Sequence, residues 1–129
     1  MFSINKEIIK TKKAPIAIGP YSQAIKFNNL VFVSGQIAIH PESNEFLDDN
    51  IVIQMKQVTE NIKAILEGAG SSLQKVLKVT IFITDIKDFD KVNKVYAEYF
   101  GTSLPARACV EVGNLPKGAK VEMEAIACC

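Results

Sequence analysis

From Ile51 onward the apolar positions fall at 51, 55, 58, 62, 65, 66 and 69, the spacing of one face of a long α-helix. Asp48, Asp49 or Asn50 supplies a side chain to cap its start, and Gly68 or Gly70 a place to end it. On either side of this segment the period changes to two. Residues 22–36, SQAIKFNNLVFVSGQ, hold two apolar-rich runs around Asn28–Asn29, a residue type that tolerates positive φ, and predict a β-hairpin. Residues 76–84, VLKVTIFIT, predict a strand with Leu77, Val79, Ile81 and Ile83 on one face. A second predicted helix is capped by Asp88, carries Phe89, Val92, Tyr96 and Tyr99 on one face and stops at Gly101. ARACVEV (106–112) and KVEMEAIA (120–127) both alternate, with GNLPKG between them.

The predicted order is β-β-α-β-α-β-β, with a further N-terminal strand in SINKEIIK (3–10). One sheet and two helices make an α+β layer, and two helices cover only one face of such a sheet. Phe32, Phe82, Cys109 and Ile126 fall at the alternate positions and make the opposite face partly apolar. A face of that kind needs cover. Another copy of the chain is the expected cover, with any site near the subunit junctions.

Composition then narrows the classes of function. The 129 residues suit one domain, 1–129, and the 48% hydrophobic content suits a well-cored one. A net charge of +1, from 15 basic and 14 acidic residues with the signs interspersed, lacks the clustered basic excess of a nucleic-acid binder. No run approaches the roughly 20 apolar residues that span a bilayer, and the N-terminus has neither a secretion nor a mitochondrial leader pattern. Cys109, Cys128 and Cys129 do not make a disulfide framework, so a reducing cytoplasm is the expected setting. The single histidine, His40, lies in the turn-like HPESNEF, and without a Cys-x-x-Cys pair no zinc or other metal site is expected. A hydrolytic triad would need that histidine, and no serine sits in G-x-S-x-G. The glycines of SGQIA and EGAGSS have the wrong spacing for a phosphate-binding loop, so no cofactor is expected.

Candidate chemistry gathers near the C-terminus. Of the 15 lysine and arginine residues, all but Arg107 are lysine. Strand alternation sends Arg107, Cys109 and Glu111 to one face and Ala106, Ala108, Val110 and Val112 to the other. Small neighbours leave room for a guanidinium in a cleft. Its planar fork matches a carboxylate in two parallel hydrogen bonds, which lysine does not offer. A structural salt bridge at a strand edge is the competing reading. Cys109 has no histidine to activate it and suits a buried small hydrophobe better than a nucleophile. Glu111, Glu122 and Glu124 are candidates to position a water as general base, although charges at alternate positions also describe a solvated face. Spacing does not choose among the three.

APIAIGPYSQAI (14–25), VFVSGQIAIHP (31–41) and LPARACVEVGNLPKGAKVEMEAIA (104–127) together resemble the signature blocks of the RidA family of reactive intermediate/imine deaminases, also described as liver perchloric-acid-soluble proteins. The resemblance covers nearly the whole chain. It implies a chorismate-mutase-like fold, a homotrimer whose sheets form an inner barrel, and sites in clefts between subunits. The implied activity is hydrolysis of enamines and imines, such as 2-aminoacrylate and 2-aminocrotonate, to 2-keto acids and ammonia. By the same match Arg107 grips the substrate carboxylate and Glu122 orients the attacking water. Tyr21, Ser34, Gly35, Asn93 and Cys109 line the pocket, with Cys109 not acting as nucleophile. The implied partners are a small imino or keto acid and further copies of the chain, while the charge and hydropathy above lead to the expectation of no nucleic acid and no membrane. Ala38, His40, the PESNEF turn and Cys128–Cys129 depart from the family pattern, all in a turn or at the terminus. Some family members are described as ribonucleases or translation inhibitors, a reading that near-neutral charge and the lack of a histidine pair oppose. A non-catalytic trimer that binds keto acids or acts as a holdase would use Arg107 equally well.

Overall fold

The computed structural model describes residues 5–129. Its longest element is α1 (Ile51–Gly68). Asn50 caps it by accepting the Ile53 amide at 3.0 Å, and Met55, Val58, Ile62, Ile65 and Leu66 form its fully buried stripe. Burying each such side chain contributes about 1.5–3 kcal/mol. Gly70, at φ 80°, carries the chain past the helix end.

The strands are β1 (Lys6–Ile9), β2 (Ala24–Phe27), β3 (Leu30–Gln36), β4 (Val76–Ile83), β5 (Ala106–Glu111) and β6 (Val121–Cys128), and α2 (Phe89–Phe100) joins β4 to β5. They form one sheet in the order β1-β2-β3-β6-β4-β5. The mixed α+β order expected from the pattern is the order found. Ser3 and Ile4 of the expected N-terminal strand lie outside the described residues. The β2–β3 hairpin turns at Asn28, φ 55°. Among the described residues only β4 and β5 pair in parallel, as a helical crossover requires. Chain order would put β6 after β5, yet β6 inserts between β3 and β4, antiparallel to both.

Both helices pack on one face of the sheet. Val31, Val33, Val79, Ile81, Ile83, Val121, Met123, Ala125 and Ala127 meet them there. Ile62 is wholly enclosed in this layer, so truncation to alanine would cost about 2–5 kcal/mol. Phe32 stands 42% exposed on the other face beside its register partner Ile126, with Phe82 further along that face next to Glu122; Ile126 and Phe82 are half-buried.

Three sequence-based expectations fail in instructive ways. Leu77 does not join Val79, Ile81 and Ile83, because one extra residue of β4 bulges between Val76 and Lys78. The bulge turns Leu77 out to 48% exposure and gives its inward place to Val76. Cys109 does not share the open face with Phe32, Phe82 and Ile126. It pairs in register with the buried Ile81 and packs against the helix-side core. Asp88 makes no side-chain cap for α2. A 3-10 turn at Ile86–Asp88 precedes the helix, and Asp85 caps that turn by accepting the Lys87 amide at 2.9 Å. Among the described residues no helix is long and apolar enough to cross a membrane.

Candidate active site

A cavity of about 660 Å³ opens on the uncovered face, where the 15–21 loop, the end of β3, the Pro116–Lys117 turn and β6 meet. Gln23 holds the loop in place. Its Nε2 donates to the carbonyls of Pro15 at 2.7 Å and Thr11 at 3.1 Å, and its Oε1 accepts the Thr11 amide at 2.7 Å. From the helix side, Asn61 Nδ2 donates to the Ile39 carbonyl at 2.9 Å and the Ile37 carbonyl at 3.3 Å, pinning a second wall. Within the loop, Tyr21 Oη accepts the Ile18 amide at 3.2 Å, leaving the ring 51% exposed at the cavity mouth.

β3 carries an extra residue where it passes β6. Val33 pairs with Ala125 but Gln36 with Met123, so Ser34–Gly35 forms a bulge. Bulges re-aim side chains and end regular pairing, and they recur next to active sites. Here the bulge lies against Glu122. A Cβ on Gly35 would sit 3.0 Å from Glu122 Cδ and 3.1 Å from its Oε1, so only glycine leaves space for the carboxyl group. Ser34 Oγ donates to the Ser22 carbonyl at 2.6 Å and ties the bulge to the loop. Burial raises the proton affinity of Glu122 above the ordinary carboxylate value, and the nearby Glu124 charge raises it further. Both carboxylates line the cavity with Phe82.

Arg107 lies elsewhere. Its register partner is Val79, whose side chain is buried toward the helices, so Arg107 projects on the helix side of the outermost strand, β5. Its guanidinium carbon sits 4.7 Å from the centre of the Tyr96 ring and 5.9 Å from that of Phe89. Tyr96 in turn packs on Phe100 with ring centres 4.6 Å apart. Among the described residues the buried Tyr96 hydroxyl has no hydrogen-bond partner. Asn93 follows Phe89 by one helical turn and so stands on the same side of α2. Burial pushes the Cys109 thiol up, partly opposed by the Arg107 charge, so it remains a protonated thiol at neutral pH. Glu111 is taken up structurally, accepting the Ile86 amide at 2.8 Å.

The seven site residues expected from sequence therefore fall into two groups. Tyr21, Ser34, Gly35 and Glu122 share the cavity on the open face, while Arg107, Cys109 and Asn93 share the helix side of the sheet edge. One chain does not bring the groups together. Sequence reasoning missed Gln23 and Asn61, whose only signal is polarity inside apolar runs. It also missed the Ser34–Gly35 bulge, although a glycine inside a strand pattern hints at one. Among the described residues no group of three or more His, Cys, Asp or Glu side chains gathers to hold a metal ion.

Residues 11–129 match the family model described as Endoribonuclease L-PSP. A RutC family protein of Pyrococcus abyssi is 60% identical over 122 residues, covering 95% of this chain and 96% of the relative. The 2-iminobutanoate/2-iminopropanoate deaminase of Mus musculus is 44% identical over 127 residues, covering 98% and 94%. Among solved structures, E. coli TdcF with bound serine superposes with a TM-score of 0.91 at 43% identity, covering 95% of this chain and 98% of that one. With residues 11–129 matched by the family model and relatives at this level of identity over nearly the whole chain, the chain belongs to the Endoribonuclease L-PSP family, the family of the reactive intermediate deaminases of the RidA type.

Proposed function

We propose that this protein is an imine deaminase that hydrolyses 2-iminopropanoate, 2-iminobutanoate and their enamine tautomers, 2-aminoacrylate and 2-aminocrotonate, to the 2-keto acid and ammonia. In this reading it works in the cytoplasm as a homotrimer, with no metal or cofactor, and each site takes residues from two copies. The observation that carries the proposal is the division of the seven residues between the two faces of the sheet. A carboxylate anchor at the sheet edge and a desolvated carboxyl group in a cavity complement each other only across a subunit boundary. The partly apolar open face around Phe32, Phe82 and Ile126 supports burial against another copy.

The chemistry follows from the parts. Arg107 of one copy binds the substrate carboxylate through its planar fork, with Asn93 and Cys109 beside it. Glu122 of the next copy removes a proton from water as the hydroxide oxygen bonds to C2, and the C=N π pair moves to nitrogen. The carboxylic acid so formed returns its proton to the amine of the carbinolamine. The Glu122 carboxylate then takes the hydroxyl proton and passes it to the amine as the C2–N bond breaks, so that ammonia leaves and the oxygen becomes the keto oxygen. A raised proton affinity suits a group that must both take and give a proton near neutral pH. Tyr21, Ser34 and Gly35 shape the wall, and Cys109, as a neutral thiol, lines the pocket without attacking.

The test couples an amino-acid oxidase, which releases the imine, to semicarbazide, which traps what remains. Wild-type protein should suppress trapping, and Arg107→Lys should raise KM by about 10–100-fold, since a bidentate site is lost. Co-expressing Arg107→Lys with Glu122→Gln should restore part of the activity that each lacks alone, because some junctions then pair two intact halves. No suppression by wild type with several amino-acid sources would overturn the enzyme reading. No recovery on mixing would overturn the shared site.

A further inference from the structure

We infer that Tyr96 and Phe89 are positioning residues for Arg107: their ring faces hold the guanidinium plane so that its N–H donors point toward a substrate carboxylate. The inference rests on the reading of Arg107 as carboxylate anchor given above. It starts from a problem of the edge strand. β5 is the outermost strand, and it pairs on one side only, with β4. A long arginine on such a strand has several rotamers, and bidentate recognition tolerates few of them.

α2 supplies the constraint. Phe89 and Tyr96 stand seven residues apart, which is two helical turns, and so share one helix face, the face that meets the Arg107 guanidinium. The guanidinium carbon lies over both rings, closer to Tyr96 at 4.7 Å than to Phe89 at 5.9 Å. A guanidinium engages a ring through its flat face, whereas its hydrogen-bond donors lie in its plane. Stacking therefore fixes orientation without using the donors. The platform is itself fixed, because Tyr96 rests on the fully buried Phe100 with ring centres 4.6 Å apart. Among the described residues the Tyr96 hydroxyl has no hydrogen-bond partner. Lysine at 107 would present a compact ammonium and could not be oriented in this way.

Because Arg107 is the sole arginine, its Nε–H gives one assignable arginine signal in a proton–nitrogen NMR spectrum, and that signal reads orientation without any assay of activity. In the wild type the Nε proton should be shielded by the ring beneath it. Tyr96→Leu should move it toward the position of a free arginine and raise KM for the imino acid about five- to tenfold, with kcat changed less. Tyr96→Phe, which keeps the ring and drops the hydroxyl, should restore both. Should Tyr96→Leu fail to fold, Phe89→Leu, at a half-buried ring, carries the same prediction with a smaller shift. A folded Tyr96→Leu with the Nε signal and KM of the wild type overturns the inference, and so does a Tyr96→Phe that behaves like Tyr96→Leu. If the signal moves as expected while wild type hydrolyses no imine, the clamp stands and the deaminase reading falls.

Discussion

Glu122 sits against a strand bulge and a missing Cβ, whereas Arg107 lies on a bed of aromatic rings. The first arrangement makes space: Gly35 withdraws so that a carboxyl group can stand partly desolvated in a cavity. The second arrangement removes freedom: Phe89 and Tyr96 restrict a long cation at an otherwise unpaired sheet edge. Each suits a different chemical task. Proton transfer needs a group whose affinity for the proton has been moved, and burial does that. Carboxylate recognition needs a fixed direction, and stacking does that without consuming hydrogen-bond donors. The two regions are separated by the sheet.

Breaking the cavity side should have the largest effect. Glu122→Gln should lower kcat by about 10²–10⁴, the usual worth of a positioned acid–base group, while keto-acid binding measured by calorimetry stays close to wild type. Retained turnover would move the proton-transfer role to Glu124. The same variant should melt higher than wild type at pH 7. Glu122 holds its proton more tightly in the folded chain than in the unfolded one. The stability from that proton is fully present below the unfolded value, near about 4.3, and is lost as pH rises through the raised folded value. Glutamine removes the loss, so the two melting curves should converge toward about pH 4.

A smaller and more local effect is expected at Gly35. In Gly35→Ala the new Cβ would meet Glu122 Cδ at 3.0 Å, and the carboxyl group must give way by a few tenths of an ångström. A loss of about tenfold in kcat/KM with little change in melting temperature is the expected outcome. Equal losses in activity and stability would mean that the glycine serves the bulge and not the carboxyl group.

The gentlest test sharpens the contrast. Glu124→Gln removes a charge that raises the proton affinity of Glu122, so the acid limb of kcat/KM against pH should move to lower pH. The Arg107 side should not respond: keto-acid affinity at neutral pH should hold, apart from the lost repulsion of an anion near the cavity. An acid limb that stays in place would assign it to another group.

Much of this protein was written into its sequence. The period-3.6 stripe from Ile51 to Ala69, the alternation of 120–127 and the asparagines at the hairpin turn are local, and each dictated its element because side-chain spacing and backbone preference act over a few residues. Arg107 stood out by residue type alone. Alternation says which residues share a face, but not which face it is, and here the local signal ran out. Whether Arg107 and Cys109 look toward the helices or away was decided by the register of β5 on β4. One extra residue near Leu77 and another at Ser34–Gly35 shifted pairing in β4 and β3, and no propensity marks where a strand will bulge against a partner distant in the chain. The separation of Glu122 from Arg107 is of the same kind. It arises from β6 threading between β3 and β4, a pairing chosen by the burial of Met123 and Ala125 in the core beneath α1 and by nothing within β6 alone.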